Sequence, residues 1–256
     1  EEKLNEITHG KLNKQLKDYA GAESSAQIPL AFFNSVITRD GRRMTISTQP
    51  ARFMMYTASD TSGSFPFGID GLDFVSYFKN QNPYNLRILT ALRMSATFPY
   101  VLPSVWLPTK PVIDVMDAGF RDNTGVQTAL KFLFVFREWI KQNCSKLVLI
   151  QIVDKRPGGW DFPFESKTMI DLLTNPAILA QHNLFRFQEY QQNESLQYLE
   201  ESMGLKFQRI VFAYQPTNKE FAASLSFHLS SREKNDVKSS LNDTENQQAF
   251  RKFLVQ

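Results

Sequence analysis

The spacing of apolar residues changes character several times along the chain, and each change predicts an element. Leu4, Ile7, Leu12, Leu16 and Tyr19 share one side of a helical projection, which predicts a polar helix over residues 3–19. The run from Ile28 to Ile37 is mostly apolar and predicts a strand. Asp40-Gly41 is a turn signal, and Arg43-Met44-Thr45-Ile46-Ser47-Thr48 alternates as a strand returning from it. Residues 52–57 read as a further strand, and the Ser, Gly, Asp and Pro-rich stretch 59–71 reads as a loop. Asn82-Pro83 opens a helix through about Met94, because Pro is favoured in a first helical turn. Pro99, Pro103, Pro108 and Pro111 forbid a long helix after it.

Val112 to Met116 then predicts a short buried strand. Thr124 to Gln142 predicts a helix whose Phe132, Phe134, Phe136 and Trp139 pack against a sheet. Lys146 to Val153 reads as a fully buried strand. Residues 167–203 read as helix with a break at Asn175-Pro176, Lys206 to Tyr214 as a strand, and the tail from Arg232 as a polar helix. Strands alternating with helices predict an α/β fold with a mostly parallel sheet flanked by helices. No repeat, low-complexity tract or linker divides the chain, so one domain over residues 1–256 is expected.

Composition narrows the partners. The 256 residues carry 29 basic and 26 acidic side chains, a net charge of +3, too balanced to imply nucleic acid. It permits attraction to an anionic membrane surface without arguing for it. The single cysteine, Cys144, excludes an internal disulfide and reads as a buried, inert thiol. No apolar run reaches the roughly 18 residues of a membrane span. Glu1-Glu2-Lys3 does not resemble a signal peptide, and no Met opens the sequence, so a processed or trimmed chain is expected. His9, His182 and His228 are scattered, with no partners at metal-ligand spacing, so neither metal nor cofactor is expected.

One stretch carries candidate chemistry. The apolar run ending at Met116 stops at Asp117-Ala118-Gly119 and turns into a polar segment. Sites of α/β sheets gather at the carboxyl ends of strands, where Asp117 falls. Ala118 and Gly119 leave room for backbone to approach the carboxylate. Asp117 reads as a general base or orienting acid, or as the cap of the following turn. Asp114 alternates with Ile113 and Val115 and points to the other face or the strand edge. Asp154, ending the strand over 146–153, opens the turn Asp154-Lys155-Arg156-Pro157-Gly158-Gly159, which is no phosphate loop.

Three segments in order resemble the patatin-like lipid acyl hydrolases. "IPLAFFNSVITRDGRRMTIST" (28–48) is similar to that family's strand, polar turn and return strand. "LRILTALRMSATFPYVLP" (86–103) is similar to its small-residue helix and Phe-Pro loop, and "VMDAGFRDNTG" (115–125) to its Asp-Gly-Gly motif and Asn-rich turn. The resemblance spans about residues 28–150. It implies a lipid ester substrate, a Ser-Asp dyad without a catalytic His, and Asp117 as the dyad acid. Ala118, Gly119 and Asn123 are then its supporting turn. Ala118 departs from the family's glycine, a small change unless that backbone has positive φ.

The nucleophile is not found. Among 11 glycines no pair four apart brackets a serine, so no G-x-S-x-G exists. Ser95 reads as a small packing residue at a helix end, and Ser62 and Ser64 as loop residues. The resemblance therefore implies the carboxyl-terminal half of a patatin-like domain, inactive alone and joined by a missing amino-terminal half or by self-association across an open sheet edge. Two alternatives stay open: a non-catalytic lipid- or partner-binding module of that family, and an unrelated α/β binder of nucleotides or sugars.

Overall fold

The computed structural model describes residues 1–56, 68–98, 103–154, 169–218, 222–224 and 229–254, with side chains of the long helix described from residue 183 onward. Two compact units divide the chain, Glu1–Val135 and Phe136–Gln256.

Among the described residues the first unit has five strands: β1 (Phe33–Ile37), β2 (Arg43–Ile46), β3 (Gly71–Asp73), β4 (Val105–Leu107) and β5 (Ile113–Asp117). They lie in the order β3-β2-β1-β5-β4. Only β2 and β3 run parallel; β1–β2, β1–β5 and β4–β5 are antiparallel. The expectation of a mostly parallel sheet is therefore corrected, while the α/β class stands. The reason lies in the connections. The Asp40-Gly41 turn, with Gly41 at φ +71°, and the short link before β5 are too brief for the crossover that parallel neighbours need.

Alternation along β1 and β2 gives the sheet two different faces. Ile37, Met44, Ile46 and Val115 form an apolar core with Ala91 and Met94 of helix α4 (Ile88–Ser95). The other face holds Asn34, Arg43 and Thr45. Arg43 is 1% exposed, a burial that its hydrogen bonds must offset.

The described helices of this unit are α1 (Glu2–Ile7), α2 (Lys17–Ser24), α3 (Phe74–Tyr77), α4, α5 (Gly119–Asp122) and α6 (Val126–Val135), of which α3, α4 and α5 contact the strands. The helix expected over 3–19 is broken, because His9 and Gly10 take left-handed backbone at φ 50° and 73°. The strand expected over 52–57 is a 3-10 turn, Arg52–Met54, followed by an isolated bridge at Tyr56. Asn82, also left-handed, delays the expected helix so that α4 begins only at Ile88.

The second unit contains α7 (Arg137–Asn143), β6 (Lys146–Val153), α8 (Met169–Met203), β7 (Lys206–Ala213), α9 (Ser231–Ser239) and α10 (Thr244–Leu254). Strands β6 and β7 pair in parallel over all eight residues. Helix α10 packs on β7, with the rings of Phe212 and Phe250 4.7 Å apart. Buried Asn246 ties the two together: its amide donates to the Ala213 carbonyl (2.8 Å) and accepts from the Ala213 N–H (3.0 Å). Helix α8 continues through Asn175-Pro176 without the expected break.

Two further expectations are corrected. The helix over 124–142 is two helices, α6 and α7, parting at Phe136. Phe134 and Trp139 are 59% and 60% exposed, so the aromatic stripe is not core. Residues two apart do not share a helix face; Phe132 packs on the small core of Ala51, Met54 and Met55. The strand at 146–153 is not fully buried either, because Ile150 and Ile152 are 45% and 83% exposed. Among the described residues no helix is long and apolar enough to cross a membrane.

Candidate active site around Asp117

Asp117 closes β5 and stands opposite Ser35 of β1 in the antiparallel register. Residues opposed in this way share a face, and this is the face carrying Ile37, Met44 and Val115. The carboxylate therefore lies at the end of an apolar row. Burial pushes its pKa above the ordinary carboxylate value, and the N–H of Gly119 pulls it partly back down.

That hydrogen bond is short, 2.6 Å from Gly119 N to Asp117 Oδ1. Glycine gives it room. A Cβ at position 119 would lie 2.8 Å from Asp117 Oδ1 and 2.9 Å from Asn123 Oδ1, closer than side-chain carbons approach oxygen. Gly119 thus serves through its missing side chain, with the Asp117 and Asn123 side chains converging on its backbone. Ala118 has φ −63° and ψ −23°, ordinary right-handed backbone, so the methyl group there brings no strain.

The end of α4 holds the turn from the other side. The Asp117 N–H donates to the Thr97 carbonyl (3.0 Å) and the Ala118 N–H to the Ser95 carbonyl (3.2 Å). The Ser95 hydroxyl itself donates to the Ala91 carbonyl within its own helix (3.0 Å), which fits a packing role. Ser95 and Thr97 therefore meet the turn at Asp117 and Ala118 through their backbone carbonyls.

Beyond the turn, Asp122 caps α6. Its carboxylate accepts from the N–H groups of Gln127 and Thr128, both at 2.9 Å, and from the Thr128 hydroxyl at 2.7 Å. Thr128 Oγ1 accepts in turn from Asn34 Nδ2 (3.0 Å) and Arg43 Nη1 (3.2 Å), and Asn34 Oδ1 accepts from Thr45 (2.8 Å). This buried network fixes α5 and α6 against β1 and β2. Asp70 adds a second clamp: its carboxylate pairs with Arg121 (2.7 Å) and Lys131 (2.5 Å). Lys131 has its pKa lowered, by burial first and by neighbouring Arg43 and Arg121, against the upward pull of Asp70.

Asp117, Ala118, Gly119 and Asn123 are thus gathered in one turn. Asp114 stands in register with Trp106 of β4. Cys144 is partly buried between α7 and β6, and Asp154 is exposed after β6. Ser62, Ser64, His228 and the turn 155–159 lie outside the described residues, as does the side chain of His182. Ser35 was not singled out by the sequence, although a small polar residue inside Phe-Asn-Ser-Val-Ile was a signal. It is 0% exposed, and its hydroxyl has no hydrogen-bond partner.

Among the described residues no cluster of His, Cys, Asp or Glu could hold a metal ion. A depression of about 440 Å³ lined by Arg52, Ser76, Lys79 and Asn82, among others, shares no residue with the Asp117 turn. No family model, curated protein or solved structure matches the chain.

Proposed function

We propose that Asp117 is the proton acceptor of a serine acyl hydrolase of the patatin-like kind, acting on lipid esters, with the serine supplied by a polypeptide segment outside this sequence. The observation that carries this reading is the carboxylate at the end of β5, raised in pKa by burial and held by the N–H of Gly119, where the absence of a side chain leaves room for the Asp117 and Asn123 oxygens. A raised pKa brings a carboxylate closer to the range in which a general base works near neutral pH. A solvated capping aspartate would not need it.

In this mechanism the serine oxygen attacks the ester carbonyl as Asp117 takes the serine proton. The tetrahedral intermediate collapses, and Asp117 returns that proton to the departing alcohol. Water then attacks the acyl-serine ester, losing a proton to Asp117, and as the acyl–oxygen bond breaks Asp117 passes that proton to the serine oxygen, which frees the acid and restores the serine hydroxyl and the Asp117 carboxylate. Gly119 N–H holds one carboxylate oxygen throughout, leaving the other for the hydroxyl. Asn123 supports the turn, and Ala118 stands where backbone geometry tolerates it. No histidine and no metal takes part.

The test compares the chain alone with the chain joined to the polypeptide encoded before it. The joined protein is expected to hydrolyse p-nitrophenyl butyrate and to be labelled at a serine by a fluorophosphonate, while the chain alone does neither. Hydrolysis by the chain alone would refute the external nucleophile. A joined protein that folds but is neither labelled nor active would leave a non-catalytic lipid- or partner-binding module.

A further inference from the structure

Strand β6 is the feature of the second unit that its own packing leaves unexplained. One edge pairs with β7; among the described residues no strand pairs with the other. Parallel pairs are otherwise found inside larger sheets covered on both faces, and two strands alone are marginal. In the register, Ile150 stands beside Ile210 and Ile152 beside Phe212, so these residues share a face. On that face Ile210 is buried and Phe212 meets Phe250 of α10. Helix α10 packs over β7, whereas Ile150 and Ile152 stay exposed. The result is an apolar row on a free edge, an arrangement that soluble proteins otherwise blunt with charge, proline or a bulge.

We infer that this edge pairs with the same edge of a second copy of the chain. The sequence is self-complementary about Ile150. An antiparallel pairing with the two-fold axis at Ile150 sets Ile150 opposite Ile150 of the second copy, Val148 opposite its Ile152, and Lys146 opposite its Asp154. Opposed residues share a face, so the exposed rows of the two copies lie side by side and pack laterally against each other. The two lysine–aspartate pairs close both ends with opposite charges. The four strands then form one continuous sheet, β7-β6-β6-β7. This assignment is independent of the acyl-transfer reading and concerns the second unit alone.

Sedimentation equilibrium of the 256-residue chain tests it. The mass is expected to rise with concentration towards twice the 29.5 kDa of one chain. Ile152→Lys, which places a charge within the apolar row, is expected to leave a monomer. Should that variant fail to fold, the exposed ends decide. Lys146→Glu is expected to weaken dimerisation roughly two- to thirty-fold, and Lys146→Glu combined with Asp154→Lys to restore it. In a Cys144→Ser background, Ile150→Cys is expected to cross-link two copies under mild oxidation, because residues opposed on a two-fold axis come within disulfide range; Ile152→Cys is not. A monomer at all concentrations, a dimer indifferent to the charge reversal, or equal cross-linking at both positions would overturn the inference. So would a monomer whose β6 amides gain hydrogen-exchange protection only when the preceding polypeptide is present, which would assign the edge to that segment.

Discussion

Gly119→Ala is the substitution whose effect the geometry specifies most closely. The new Cβ would sit 2.8 Å from Asp117 Oδ1 and 2.9 Å from Asn123 Oδ1, so both oxygens must withdraw. Withdrawal weakens the 2.6 Å bond from Gly119 N to the carboxylate. A hydrogen bond to a charged group contributes about 1.5–3 kcal/mol, and alanine returns up to about 1 kcal/mol of helix preference at the start of α5. The expected net loss is about 1–2 kcal/mol, a fall in Tm of roughly 2–8 °C for a protein of this size. A second effect follows from charge. The N–H is what draws the Asp117 pKa down against burial, so its loss raises that pKa further. Calorimetry measures the first effect, and a carbon-13 NMR titration of the aspartate carboxyls, assigned with Asp117→Asn, measures the second. An unchanged Tm together with an unchanged Asp117 titration would refute the close approach on which the site is built.

Three other outcomes are expected. Because the Asp117 pKa is raised in the folded state, its ionised form opposes folding; the stability it contributes is full below the unfolded pKa of about 3.9 and is lost as pH rises through the folded value. Asp117→Asn should therefore raise Tm near neutral pH, with the difference vanishing in acid, which thermal melts across pH will show. Thr128→Val removes an acceptor from buried Arg43 and a donor from Asp122, and should cost about 2–3 kcal/mol in urea unfolding. Ala118→Gly, at ordinary helical backbone, should lower stability by about 0.5–1 kcal/mol without moving the Asp117 titration.

Local pattern revealed the parts of the fold that local chemistry decides. The Asp40-Gly41 turn and the apolar run ending at Asp117 placed β2 and β5 within a residue or two of their ends and fixed the end of β1 at Ile37, although β1 begins at Phe33 and not at Ile28. That Ala118 and Gly119 leave room for backbone to approach Asp117 was legible too, and the Gly119 N–H makes that approach. Strand order was not legible, because the antiparallel pairing of β1 with β5 joins residues some eighty positions apart and rests on the shared core with α4. Nor was Arg43: an alternating strand leaves open which face is wet, and an arginine reads as exposed until Asn34, Thr128 and Asp122 are seen beside it. The phenylalanines of 132–136 misled for a simpler reason. Hydrophobicity by itself carries no angle between successive side chains, and Phe134 is 59% exposed.

The kcat of the joined, folded protein on a short-chain ester, with and without Asp117→Asn, tests the proton-acceptor role most directly. A general base is worth about 10²–10⁴-fold, so the variant should lose at least about 100-fold in kcat while gaining stability near neutral pH. Turnover within a few-fold of the unsubstituted protein would mean that the proton goes elsewhere.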